Sequence, residues 1–141
     1  MIKLKFKRLT DTAVLPSYAH AGDSGMDICA DEDVIITPNG GRSLISTGLS
    51  SDIPYGYEIQ VRPRSGLSSK GIVAMFGTVD SNYKGCIKVN LYNFGSDSFE
   101  IKKGNRIAQL VLSPVVCATI EETEDVGVSC RGNNGFGSTG V

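Results

Sequence analysis

Asp27, Arg64, Asp80, Gln109 and Arg131 each sit in a short polar stretch that interrupts otherwise apolar, alternating sequence. Residues 21–28 (AGDSGMDI) carry the first, where Asp27 breaks an apolar strand start. Such a carboxylate caps a turn or stands near a hydrated metal ion. Residues 62–71 (RPRSGLSSKG) line up Arg64, Ser65 and Gly66. A guanidinium fork, a hydroxyl and bare backbone N–H groups suit phosphate oxygens, although the GxxxxGK[ST] loop of nucleotide-triphosphate proteins is absent. In residues 77–85 (GTVDSNYKG), Asp80 and Tyr83 share one loop mouth, as a general base and a stacking ring would, or as a plain hairpin loop allows. Gln109 is the polar member of an apolar run in residues 103–110, either an ordinary strand residue or a site group. Residues 131–140 (RGNNGFGSTG) combine Arg131, Phe136, Ser138 and Thr139 with glycines, which reads as a phosphate-and-ring clamp or as a disordered tail.

The elements that position these groups are strands. Ile2, Leu4 and Phe6 alternate with lysines, the period of a strand with one wet face. The basic run there is a solvated strand face rather than an anion site. Residues 34–36 lead into a Pro38-Asn39-Gly40-Gly41 turn and on to residues 43–45. Residues 57–62 alternate and stop at Pro63, and further strands are expected at 71–76, 86–94, 98–101, 107–112 and 115–120. Only residues 65–70 suit a short helical turn. Short strands separated by turn residues predict a sandwich, jelly roll or barrel. The chain has 17 glycines, about 12% of its 141 residues against roughly 7% in ordinary proteins, which signals turns and close backbone approaches. There is no internal repeat or linker, so residues 1–141 read as one domain, with 127–141 as a tail that has almost nothing to bury. A formal net charge of -1 offers no field for nucleic-acid polymers or anionic membrane. No apolar run approaches the ~20 residues that span a bilayer, and the basic start lacks the apolar stretch of a signal peptide. Cys29, Cys86, Cys117 and Cys130 lack CxxC spacing, so reduced thiols and a cytoplasmic location are expected. His20 falls outside the polar positions of the five stretches and reads as a surface residue.

Taken together and in this order, PRSGLS, GTVDxxYxG, GxRIAQL and RGxxGFGSTG, preceded by the Asp27 segment, resemble the five motifs of the trimeric dUTPase family, and they span the chain from Ala21 to Gly140. The resemblance implies an all-β, jelly-roll-like barrel and a homotrimer with a swapped or crossing C-terminal segment. Each shared active site would take motifs 1, 2 and 4 from one chain, motif 3 from a second and motif 5 from a third. It implies hydrolysis of dUTP to dUMP and pyrophosphate, which limits uracil incorporation into DNA and supplies dUMP for thymidylate synthesis. Asp80 would activate the water that attacks the α-phosphorus, and Tyr83 would exclude ribose. Gly77, Thr78, Val79 and Lys88 would line the uracil pocket. Arg64, Ser65, Gly66 and Gln109 would hold a triphosphate chelating Mg2+, which Asp27 reaches through water. Phe136 would stack on the base while Arg131, Gly137, Ser138 and Thr139 close over the γ-phosphate. Asn82 and Asn105 stand where relatives commonly have Asp, Asn133-Asn134 replaces a more usual pair, and Ala74 replaces an Asn that contacts the base in many bacterial members. A dCTP deaminase shares this fold, and a nucleotide-gated regulatory protein is a third class, but the Asp80 loop and the Gly-Phe-Gly-Ser-Thr tail favour the hydrolase.

Overall fold

The computed structural model describes residues 2–135. Phe136, Gly137, Ser138 and Thr139 lie outside the described residues. The described chain is almost wholly β: β1 (Lys5–Arg8), β2 (Met26–Cys29), β3 (Val34–Ile36), β4 (Gly41–Ser46), β5 (Leu49–Asp52), β6 (Tyr57–Arg62), α1 (Ser65–Ser68), β7 (Ile72–Ala74), β8 (Gly77–Val79), β9 (Lys88–Asn93), β10 (Phe99–Ile101) and β11 (Arg106–Pro114). All pairings are antiparallel. The largest sheet has the order β2-β11-β6-β8 and a second runs β4-β9-β7, with two-stranded ribbons β1-β5 and β10-β3 completing the barrel-like wall. The core between them is aliphatic, with Ile28, Ile45, Leu49, Ile59, Val89, Leu91, Ile107 and Leu110 fully buried. The turn at residues 38–41 forms as expected, with Asn39 at φ 58° and Gly40 at φ 90°, the left-handed region that asparagine and glycine tolerate.

Two strand details place the polar residues. In β2, Met26 and Ile28 point into the core, so the period of two turns Asp27 to the outside. In β11, the register shifts between Arg106 and Ala108. Residues three apart face opposite sides of a regular strand, but the bulge lets Ile107 and Ala108 both be buried while Arg106 and Gln109 emerge together. The strand expected at residues 115–120 does not form. Val115 still donates its N–H to the Gly56 carbonyl at 2.8 Å, but beyond it the chain runs without a sheet partner and Val116 and Ile120 are 95% exposed. The alternating Ile2 lies outside the first strand and is exposed, whereas Leu4 and Phe6 rest against the core. All four cysteines are free thiols.

Candidate functional site

Of the motif residues, Asp27, Arg64 and Gln109 line one pocket and Thr78, Val79, Asp80, Tyr83 and Lys88 a separate one, while Ser65, Gly66, Gly77 and Arg131 line neither. The first, about 430 Å³, is walled by Ala19, His20, Asp23–Gly25, Asp27, Arg64, Arg106 and Gln109. Asp27 is its hub. One carboxylate oxygen meets Arg64 Nε at 2.8 Å and the other meets Arg106 Nη1 at 3.2 Å, with the Asp27 side chain only 18% exposed. Arg64 also donates from Nη1 to the Arg106 carbonyl at 3.2 Å. The two cations are thereby held by one carboxylate, and Arg64 also by the Arg106 backbone, a pair of guanidiniums suited to a planar or tetrahedral oxyanion. Arg106 was not singled out from the sequence, although its place in GxRIAQL was visible; only the bulge brings it to the pocket. Behind this cluster lies Cys29, whose thiol is pushed up by burial and by the Asp27 carboxylate, against the pull of Arg106 and Arg64, and so stays protonated.

Gln109 pairs across the sheet with Asp27 on one side and Arg62 on the other. Its amide donates from Nε2 to the Pro63 carbonyl at 2.9 Å, which ties β11 to the segment that carries Arg64. Gly25 makes this possible: a Cβ there would overlap Gln109 Oε1 and come within 2.9 Å of its Cδ. Ser65 and Gly66 open α1 immediately after Arg64, and first-turn N–H groups have no carbonyl within the helix to donate to.

The second pocket, about 310 Å³, is walled by Leu44, Thr78, Val79, Asp80, Tyr83, Cys86, Ile87 and Lys88. Thr78, Val79, Asp80, Tyr83 and Lys88 therefore share one slot. Gly77 starts β8 opposite Val61 and is not among its walls. Tyr83 is held at both ends: its N–H donates to the Asp80 carbonyl at 3.0 Å and its hydroxyl to the Cys86 carbonyl at 2.9 Å. Its ring lies against Gly85, where a Cβ would stand 2.6 Å from Cζ. Gly85 thus has a positioning part that the motif alone did not reveal. Ala74 is buried in the core, so its side chain does not line this slot. The two pockets have no wall residue in common. Arg131 is exposed and, among the described residues, bonds from Nε to the nearby Asn134 carbonyl at 2.8 Å.

Fold and pockets together define an all-β, jelly-roll-like barrel protein whose first pocket offers two guanidiniums suited to phosphate oxygens and whose second slot offers an aromatic ring and a carboxylate. The dUTPase family model matches residues 11–140. The deoxyuridine 5'-triphosphate nucleotidohydrolases of Nautilia profundicola and Zymomonas mobilis are each 51% identical, with 99% of both chains covered. The structure of the Staphylococcus bacteriophage 80alpha dUTPase with dUpNHpp superposes with a TM-score of 0.92 at 32% identity, covering 100% of each chain. The chain belongs to the dUTPase family.

Proposed function

We propose that the protein hydrolyses dUTP to dUMP and pyrophosphate in sites completed between the subunits of a homotrimer. The observation that carries this reading is the segregation of the two pockets: Asp80 and Tyr83 line one, Asp27, Arg64 and Gln109 the other, and no residue lines both. A substrate that needs a base slot and a phosphate pocket together is then met by two copies facing each other, a common use of closed cyclic symmetry. In the slot, Thr78 and Val79 present backbone to uracil and Lys88 closes its edge, while the fixed Tyr83 ring lies under the sugar where a 2'-hydroxyl would collide. In the pocket, Arg64, Ser65, Gly66 and Gln109 bind the phosphates. Asp80 orients and deprotonates the water that attacks the α-phosphorus, a base contribution of about 10² to 10⁴ in rate. Donors aimed at the departing pyrophosphate stabilise the charge that develops there.

Among the described residues no three His, Cys, Asp or Glu side chains cluster to hold a metal ion, and Asp27 has both oxygens engaged by arginines. That donor set fits Mg2+ carried by the triphosphate, with Asp27 reaching it through water. When bound, the ion neutralises phosphate charge and polarises the leaving group. Residues 127–141 act as a tail that closes over a neighbour's site, with Arg131, Phe136, Gly137, Ser138 and Thr139 completing the clamp. Among the described residues no helix is long and apolar enough to cross a membrane, and we place the enzyme in the cytoplasm.

Pyrophosphate release from dUTP, UTP, dTTP and dCTP tests the activity; dUTP should be strongly preferred, and equal release from UTP would remove Tyr83 from its assigned part. Site sharing is tested by refolding an equal mixture of an Asp80→Ala variant and one lacking residues 131–141. Random assembly in a closed ring restores about a quarter of the sites. A mixture as inactive as its parents, with mixed trimers seen by mass spectrometry, would overturn the shared site.

A further inference from the structure

The loop between β1 and β2 returns to the phosphate pocket at a defined point. Ser17 and Asp27 exchange backbone hydrogen bonds, Asp27 N–H to the Ser17 carbonyl at 2.9 Å and Ser17 N–H to the Asp27 carbonyl at 3.4 Å. The residues between them are therefore pinned beside the hub carboxylate. Within that loop His20 is fixed to Asp23 three ways. Its N–H donates to the Asp23 carboxylate at 2.8 Å, the Asp23 N–H donates back to the His20 carbonyl at 3.3 Å, and Nδ1 lies 3.5 Å from the same carboxylate oxygen. The ring is 84% exposed and walls the same pocket as Arg64, Arg106 and Gln109. Charge gives this placement its meaning. Of the ionised side chains lining the pocket, Arg64 and Arg106 are cancelled by Asp23 and Asp27. Those fixed charges sum to zero, so a further N–H donor on this wall adds to what a phosphate chain of several negative charges can meet there.

We propose that His20 is a further substrate-binding residue: tethered at Nδ1 by Asp23, it donates from Nε2 to the β- or γ-phosphate. This rests on the dUTP reading of the same pocket. With Nδ1 facing Asp23 at 3.5 Å, Nε2 is the ring nitrogen left to meet a phosphate oxygen. The α-phosphate stays with the sugar and base in the other slot, so His20 serves binding and not the attack itself. Calorimetry near pH 6 on wild type, His20→Ala and His20→Gln reads it out, with dUMP, dUDP, an imido analogue of dUTP and inorganic tripolyphosphate as ligands. Removing one exposed hydrogen-bonding contact weakens the analogue and tripolyphosphate about fivefold in His20→Ala. The dUMP affinity stays within about twofold, and His20→Gln, with a donor at similar reach, recovers part of the loss. KM for dUTP should rise, and the melting temperature should match wild type. Equal weakening of dUMP, or no weakening of the analogue and tripolyphosphate, would overturn the assignment. Tripolyphosphate carries no base, so its binding reports on His20 even where dUTP proves not to be the substrate, an outcome read separately from the wild-type turnover.

Discussion

Gly25→Ala isolates a contact between the segment entering β2 and strand β11. The added methyl would overlap Gln109 Oε1 and stand 2.9 Å from Cδ and 3.1 Å from Cβ, closer than ordinary non-bonded carbons approach. The Cβ of Gln109 belongs to the central strand β11 and cannot retreat, so the amide must swing aside by roughly 1 Å, losing its 2.9 Å bond to the Pro63 carbonyl. The stability cost is that of one exposed hydrogen bond plus local strain, about 1 kcal/mol. The catalytic cost is larger, because Pro63 leads directly into Arg64 and Gln109 lines the pocket proposed to take the phosphates. A misplacement of about 1 Å in a substrate-positioning group costs up to ~10²-fold. We expect kcat/KM for dUTP to fall by ~10- to 100-fold while urea denaturation shifts by about 1 kcal/mol. Gln109→Ala in the same background removes the overlap with the amide but keeps the 3.1 Å contact with Cβ, so stability should recover only in part and activity not at all. Wild-type kcat/KM in Gly25→Ala would show that the Gln109 position does not matter to turnover, and the positioning argument would fail.

Asp80→Asn should lower turnover at least ~10²-fold with nucleotide affinity retained, measured as steady-state rate against calorimetric binding of the imido analogue. Deletion of residues 131–141 should leave the melting temperature almost unchanged, because residues 131–134 are exposed, while the rate on dUTP falls steeply for want of the closing clamp. The Asp31 carboxyl is held below its usual range by hydroxyl bonds from Thr10 and Thr12, with a smaller pull from Lys103. A depressed folded-state pKa adds stability above the unfolded value near 3.8, and that stability is lost as pH falls through the lower folded value. Thr10→Ala should therefore cost about 1–2 kcal/mol in urea at neutral pH, and the difference from wild type should shrink below about pH 4.

Local pattern made some elements readable and hid others. β6 carries the expected bounds because Tyr57–Arg62 alternates strictly and Pro63 cannot continue a ladder. β5 went unread because Leu49–Asp52 is mostly polar. Its Ser50 and Ser51 are buried only through pairing with β1, and Ser50 Oγ finds the carbonyl of the distant Lys84 at 2.8 Å. β8 lay inside what looked like a loop. The converse error, a strand at residues 115–120, followed from β-branched composition with no sheet partner among the described residues. For the site, residue types announced each motif, but not which motifs share a wall. Arg106 needed the β11 bulge, His20 the Ser17–Asp27 bridge, and Gly85 and Gly25 the close packing of the Tyr83 ring and the Gln109 amide. Each depends on a contact between residues distant in sequence or on a local register shift, neither of which periodicity encodes.

The Asp27 cluster also bears on how the enzyme separates binding from release. In the free chain the arginines are not waiting bare: Arg64 and Arg106 already share one carboxylate. Phosphate binding is then an exchange of anionic partners, and the net gain per contact is small compared with a bare guanidinium meeting phosphate. A pocket arranged this way holds its cations in place at little reorganisation cost and keeps free pyrophosphate from binding tightly, since the product lacks the base and sugar gripped in the other slot. Discrimination then falls to that slot, where Tyr83 is braced by Gly85 and the Cys86 carbonyl. Asp27 thus earns its place in the free enzyme before any metal arrives. Replacing it with Asn would free both guanidiniums, so pyrophosphate should bind more tightly and inhibit more strongly even as turnover drops.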